Sequence, residues 1–315
     1  MHLIRGIHNL KQSHRGCALT IGNFDGLHLG HQALLRLLDE VAEKNQLKRC
    51  MMSFDPLPHE FFAGGLDRPR LMNTRDKLIA LASYSPVFCP DYVLLMKFNN
   101  ELSSMTAVEF IEKILVEKLA IKALVIGDDF QFGHDRKGNL QLLQEYGAKH
   151  GFEVDTLDTH HMDETRISST RVREALVSGD LKACKNMLGR DYQICGRVAH
   201  GDKRGRTIGF PTANIHLHRP STPLQGVYSV TIHSGTLGAV KGIANVGYRP
   251  TVEGDHVRIE VHLFDFDQDI YGQNICVSFH DRIRDEKKFE SFDALKNQIQ
   301  LDCHKAREWH GLTNN

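Results

Sequence analysis

The stretch Ala18-Leu19-Thr20-Ile21-Gly22-Asn23-Phe24-Asp25-Gly26-Leu27-His28-Leu29-Gly30-His31 runs on into Gln32-Ala33-Leu34-Leu35-Arg36-Leu37-Leu38. A short, mostly apolar run ending in glycine suits a buried strand, and the leucine spacing after His31 suits an amphipathic helix. The segment between them is then a loop at a helix N-terminus, where free backbone N–H groups and the helix dipole favour anions. Glycines at 22, 26 and 30 let the backbone approach a phosphate closely. His28 and His31 add imidazole donors for oxygens that gain charge during phosphoryl transfer. The chain has 19 histidines, so the pair also fits two structural side chains, and the spacing alone leaves both readings open. Half of a metal site is a third reading, but neither a cysteine nor a further histidine stands close by in sequence.

Working outward, strand-like segments at Cys17–Ile21, Arg49–Phe54, Tyr92–Met96, Ala123–Ile126 and Phe152–Leu157 alternate with helical ones at His31–Lys44, Arg75–Ser83, Ala107–Lys118 and Leu140–His150. That alternation predicts an α/β domain with a Rossmann-like parallel sheet, which takes its ligands beyond the carboxyl ends of the strands. After about Gly189 the pattern changes. Tyr192–Ala199, Val227–His233, Val240–Val246, Val257–Phe266 and Asn274–Phe279 are short, β-rich and separated by glycine or proline. They predict a small closed antiparallel β-barrel, with a C-terminal helix from Phe292 to Trp309 packed on it. We therefore expect two domains, 1–185 and 186–315.

The 315 residues carry 39 basic and 39 acidic side chains, with no basic excess in either half, which argues against a nucleic-acid partner. No run of apolar residues is long enough for a membrane span, and the N-terminus lacks the apolar core of a signal peptide. Seven scattered cysteines without a C-x-x-C spacing suggest reduced thiols in a cytoplasmic protein. Small-molecule partners and a monomer or weak homo-oligomer are the expectation.

Three further segments can serve the first domain. Ile126-Gly127-Asp128-Asp129-Phe130-Gln131-Phe132-Gly133 follows a strand, and is either a ligand loop or an ordinary turn with a solvated acidic pair. Ile167-Ser168-Ser169-Thr170-Arg171-Val172-Arg173 opens a helix; its hydroxyls suit plain caps, and Arg173 also suits phosphate oxygens. The third is Phe54-Asp55-Pro56-Leu57-Pro58. In the second domain, the glycine- and arginine-rich run Gly196–Asn214 ends in Phe210-Pro211-Thr212-Ala213-Asn214, whose hydroxyl and amide oxygens suit Mg²⁺. Glu260 is either a base or the cross-strand partner of a basic residue.

The first set resembles the HxGH nucleotidylyltransferases and, among them, the prokaryotic FAD synthetases. The resemblance implies that His28, His31 and Arg173 stabilise the transition state. It further implies that Gly22, Asn23, Phe24, Gly30, Ser169 and Thr170 contact nucleotide phosphates, and that Phe54 and Asp129 serve the flavin and nucleotide. Many members carry histidine where this chain has Leu57. The second set resembles riboflavin kinases through Gly226-Val227-Tyr228, Asn245–Thr251, Ile259-Glu260-Val261-His262, Asp269-Ile270-Tyr271-Gly272 and Arg284–Phe289. It implies Glu260 as catalytic base, Thr212 and Asn214 as Mg²⁺ ligands, and ATP or flavin contacts from Gly205, Arg206, Gly209, Phe210, Pro211 and Arg284. Together the two resemblances imply a bifunctional enzyme that makes FMN from riboflavin and then FAD, with ATP and Mg²⁺. The alternatives are a monofunctional enzyme with one site inactive, and a flavin- or nucleotide-sensing protein without turnover.

Overall fold

A computed structural model describes residues 1–63, 68–84, 88–158, 167–199, 209–217, 221–234, 237–251 and 254–312. By contacts the chain forms two compact units: Met1–Arg68 with Lys77–Ser168, and Pro69–Asp76 with Ser169–Asn315.

The first unit is built on strands β1 (His2–Arg5), β2 (Ala18–Ile21), β3 (Arg49–Asp55), β4 (Tyr92–Lys97), β5 (Ala123–Gly127) and β6 (Glu153–Leu157). They form one parallel sheet in the order β1-β4-β3-β2-β5-β6. Every residue of β2 is buried, as expected for a central strand covered on both faces. Helix α1 (Leu29–Lys44) follows it and turns Leu34, Leu35, Leu38, Val41 and Ala42 inward, the spacing of one helix face. The remaining helices are α2 (Pro58–Phe62), α3 (Thr74–Ser83), α4 (Asn100–Ser104), α5 (Ala107–Glu109, continuing as a wider π-helical stretch Phe110–Lys118) and α6 (Leu140–His150). The strand order reverses between β2 and β5, and ligands of open α/β sheets bind at such a switch. The loops after these two strands carry the two glycine-rich motifs.

The second unit begins with α7 (Ser169–Ser178) and α8 (Leu181–Leu188). Six strands follow: β7 (Tyr192–Ala199), β8 (Ala213–His216), β9 (Gly226–Ser234), β10 (Gly238–Thr251), β11 (Gly254–Leu263) and β12 (Asn274–Arg284). They close an antiparallel barrel in the order β10-β11-β8-β7-β12-β9. Ile194, Ile215, Val230, Ile232, Ile259, Val261 and Val277 are almost wholly buried and make up much of the barrel core. Helix α9 (Phe292–Trp309) buries Cys303 and Ala306 against Val227, Ile243 and Phe264. The Pro69–Asp76 segment is tied to this unit by hydrogen bonds. Tyr192 Oη donates to the Leu71 carbonyl at 2.7 Å, the Cys195 N–H to the Asp76 carboxylate at 3.0 Å, and Arg173 Nε to the Pro69 carbonyl at 2.8 Å.

One expectation needs correction. Cys195 and Cys276 form a disulfide, while the other five cysteines are free and buried. The two face each other in the β7–β12 register with Cα atoms 4.0 Å apart. A sequence separation of 81 residues hides this, because only strand pairing brings them together.

Burial holds His262, His280 and His310 of the second unit below the ordinary value of 6.5. The Asp191 carboxylate lies 3.4 Å from His280, whose ring stacks on Trp309 and whose Nε2 pairs with the Thr231 hydroxyl. Such histidines bind protons more readily in the unfolded chain. Stability is therefore complete above about pH 6.5 and falls as pH drops toward the folded values. Each adds a slope of at most about 1.4 kcal/mol per pH unit in that window. Asp265, held down by Arg307 but largely exposed, adds only a small, solvent-screened loss below 3.8. Calorimetry should show the second unit's melting temperature falling as the pH drops below about 6.5, and falling less in His280→Gln. A flat profile there would contradict the burial of these rings.

Candidate functional site

In the first unit the loop from Gly22 to His28 is strained. Phe24 and Leu27 adopt φ of +48° and +46°, a region that bulky residues rarely enter, and both are fully buried. Such conformations persist where the surroundings fix them, and they concentrate at functional sites. His28 caps α1: its Nδ1 accepts a long, 3.4 Å hydrogen bond from the His31 N–H. A ring that accepts at Nδ1 keeps its proton on Nε2. The His31 ring stacks on His28 at 3.6 Å between centroids and leans on Phe24 at 5.2 Å. A Cβ on Gly30 would lie 3.2 Å from His28 Nδ1, so the glycine leaves room for that ring. Burial, aided by His28 and the Lys77 ammonium, holds His31 well below 6.5. His31 is thus neutral near pH 7, and its buried Nδ1 has no hydrogen-bond partner among the described residues.

Phe54, one residue before the end of β3, stands beside an aromatic group that sequence reading missed. Phe98 meets Phe54, Phe61 and Phe62 edge-on at 5.4 to 5.8 Å, and Phe62 is 71% exposed. Flat, partly exposed aromatics of this kind suit a planar ring system. Asp129 stands exposed in the turn after β5, where Phe130 and Phe132 stack at 5.5 Å. Ser169 and Thr170 open α7 in the second unit, and Arg173 on the same helix is half-buried on the Pro69 carbonyl. Lys77 is the other residue the sequence did not reveal. It lies on α3, almost fully buried, with its ammonium on the Asn23 carbonyl and the Ser53 hydroxyl.

In the barrel, Asn214, Glu260 and Asn245 form one cross-strand row on β8, β11 and β10. Ile259 and Val261 face the core, so Glu260 between them lies on the barrel's outer face. Arg258, two residues away and on the same face, bridges the row. Its guanidinium lies 2.6 Å from the Glu260 carboxylate and donates to the Asn214 amide oxygen at 2.9 Å. Thr212 and Pro211 precede β8, and His262 Nδ1 donates to the Pro211 carbonyl at 2.8 Å while its ring meets Phe210 edge-on. Gly209 lies in the left-handed region at φ +84°. Arg284 is anchored by the buried Asp302 of α9 at 2.8 Å. Gly205 and Arg206 lie outside the described residues. Arg258 was legible in principle, because opposite charges two apart on a strand share a face.

Among the described residues, no helix is long and apolar enough to cross a membrane. No group of three or more His, Cys, Asp or Glu among them could hold a metal ion.

Residues 10–171 match the FAD synthetase family and residues 188–310 the riboflavin kinase family. The chain is 48% identical over 307 residues to the bifunctional riboflavin kinase/FMN adenylyltransferase of Haemophilus influenzae, with 98% of each chain covered. It is 46% identical over 314 residues to the protein of the same description from Escherichia coli K12, with 99% of each covered. A solved Streptococcus pneumoniae chain, described as a macrolide-efflux protein, has a TM-score of 0.81 at 32% identity. The likeness covers 98% of this chain and 100% of that one.

Proposed function

The chain belongs to the bifunctional riboflavin kinase/FMN adenylyltransferase family, and from that premise we propose which residues carry each reaction. It phosphorylates riboflavin with ATP to give FMN, and it adenylylates FMN with ATP to give FAD and pyrophosphate. The residue assignment rests on one observation: each family-matched segment holds its own phosphate-type constellation on a different architecture.

Adenylyl transfer belongs to 1–185. The FMN phosphate is largely dianionic near neutral pH, since its second pKa is about 6, so it attacks the α-phosphorus without a base. The site has to align the two phosphates and stabilise the charge that builds on the α-phosphoryl and the departing pyrophosphate. His28, neutral His31, Asn23 and the N–H groups opening α1 supply fixed donors for this, around Gly22, Phe24 and Gly30. Phe54 with the Phe98 group takes the flavin ring, and Asp129 the nucleotide side. Ser169, Thr170 and Arg173 are donors suited to a triphosphate tail.

Phosphorylation belongs to 186–315. Riboflavin's 5′-hydroxyl must lose a proton as it attacks the γ-phosphorus, and Glu260 accepts it. Phe210, Pro211 and Gly209, with Gly205, Arg206 and Arg284, serve ATP and flavin. The donor set fits Mg²⁺: Thr212 and Asn214 offer hard neutral oxygens beside a carboxylate, and the row already accommodates the Arg258 cation. With the nucleotide's phosphates, Thr212 and Asn214 would hold Mg²⁺, which neutralises charge on the transferring phosphoryl. ATP and free flavins place both reactions in the cytoplasm.

The test is product analysis. Given riboflavin and MgATP, the purified protein should yield FMN first and then FAD, with ADP released in the first step and pyrophosphate in the second. Removal of divalent cations with EDTA should stop the kinase step. FMN accumulation without pyrophosphate would show the adenylyl assignment to be mistaken. FAD from supplied FMN, with riboflavin untouched, would do the same for the kinase assignment.

A further inference from the structure

Lys77 is a buried lysine set against the loop after β2. It projects from α3 with 6% of its surface exposed, into the floor of the strained loop after β2. Its ammonium donates to the Asn23 carbonyl at 2.7 Å and to Ser53 Oγ at 2.8 Å. The Ser53 hydroxyl, fully buried on β3, donates to the same Asn23 carbonyl at 3.1 Å. One backbone oxygen thus receives two side-chain donors from two separate elements. That oxygen belongs to the peptide just before Phe24, the first residue forced into the left-handed region.

Burying an ammonium is costly, and a leucine or methionine would fill the space without that cost. A charge kept there has work at its contact. The clamp fixes the peptide plane from which Phe24, Leu27 and the cap residue His28 follow, and strained backbone of this kind holds only when neighbours over-determine it. The charge also reaches His31, whose proton affinity it lowers.

We propose that Lys77 is a positioning residue for adenylyl transfer: its ammonium locks the Asn23 carbonyl and with it the loop that presents His28 and His31. The proposal rests on reading that loop as the adenylyl-transfer site. Misplacing catalytic groups by about 1 Å costs about 100-fold in rate, so Lys77→Met should lower kcat for FAD formation by about that factor. The ATP KM should stay within about threefold, because the loss lies in the transition state rather than in ground-state binding. Lys77→Arg keeps the charge and donors and should recover about tenfold of the loss. Ser53→Ala removes one of the two clamping donors, keeps the ammonium, and should lower kcat by about tenfold. Riboflavin kinase activity, measured in the same preparations, should stay at the parent value.

Near-parental kcat in folded Lys77→Met overturns the proposal, as does a loss confined to KM. Should Lys77→Met fail to fold, a fully active Ser53→Ala overturns it instead. His31→Ala is assayed alongside. If that variant forms FAD normally, the reading of the loop has failed, whatever Lys77 does. If only the Lys77 and Ser53 variants are normal, the loop reading stands and the positioning role does not.

Discussion

Replacing His31 with alanine should lower the rate of FAD formation from FMN and ATP by about a thousandfold while FMN formation proceeds at the parent rate. The factor is that of removing one preorganised donor aimed at developing phosphoryl charge, about 10²–10³. His31 is well placed for that role. Its ring is stacked on His28 and braced by Phe24, so it needs no reorganisation at the moment of reaction. It is neutral near pH 7, which makes it a hydrogen-bond donor rather than a second cation. The loss should fall mainly on kcat, since the charge it meets is fully developed only in the transition state. Removing the ring also opens a gap beside Phe24 and costs some stability, which the kinase rate in the same sample and a melting curve control for. Parental FAD formation would make His31 a packing residue and leave the stacked pair as an ordinary helix cap.

Much of this architecture is written in local pattern. The strand, loop and helix around Gly22 can be read because an apolar run, a glycine and a leucine-spaced helix change period within twenty residues. β7 and α9 begin and end where alternation and helical spacing put them. β1 and β8 escape because each is four residues long and half polar, too short to establish a period. The candidate histidines of this loop are legible, but what holds them is not. Lys77 stands 54 residues from Asn23, and a lysine on a helix ordinarily reads as solvated surface until the fold buries it. The Phe61, Phe62 and Phe98 group has the same origin, since a helix and a strand end bring separate aromatics together. The Cys195–Cys276 bond follows from register alone, which spacing along the chain does not encode.

Glu260→Gln should lower kcat for riboflavin phosphorylation by between about 10² and 10⁴, the range for losing a positioned general base. Glutamine keeps the size of the side chain and an oxygen for Arg258, so the row with Asn214 and Asn245 survives and only proton acceptance is removed. The rival reading is that Glu260 serves merely as the cross-strand partner of Arg258. Magnitudes separate the two. Both side chains are close to 30% exposed, and ion pairs of that kind contribute at most about 1 kcal/mol to folding. A purely structural Glu260 would therefore shift the melting temperature by a few degrees and leave kcat almost unchanged. A base would do the reverse, with riboflavin KM held within about threefold because the hydroxyl is bound equally well before its proton moves. FAD formation from supplied FMN, by a loop on the parallel sheet, should continue at the parent rate. If Glu260→Gln phosphorylates riboflavin normally, the proton must leave by another route, and the carboxylate between Asn214 and Asn245 is then there for Arg258 alone.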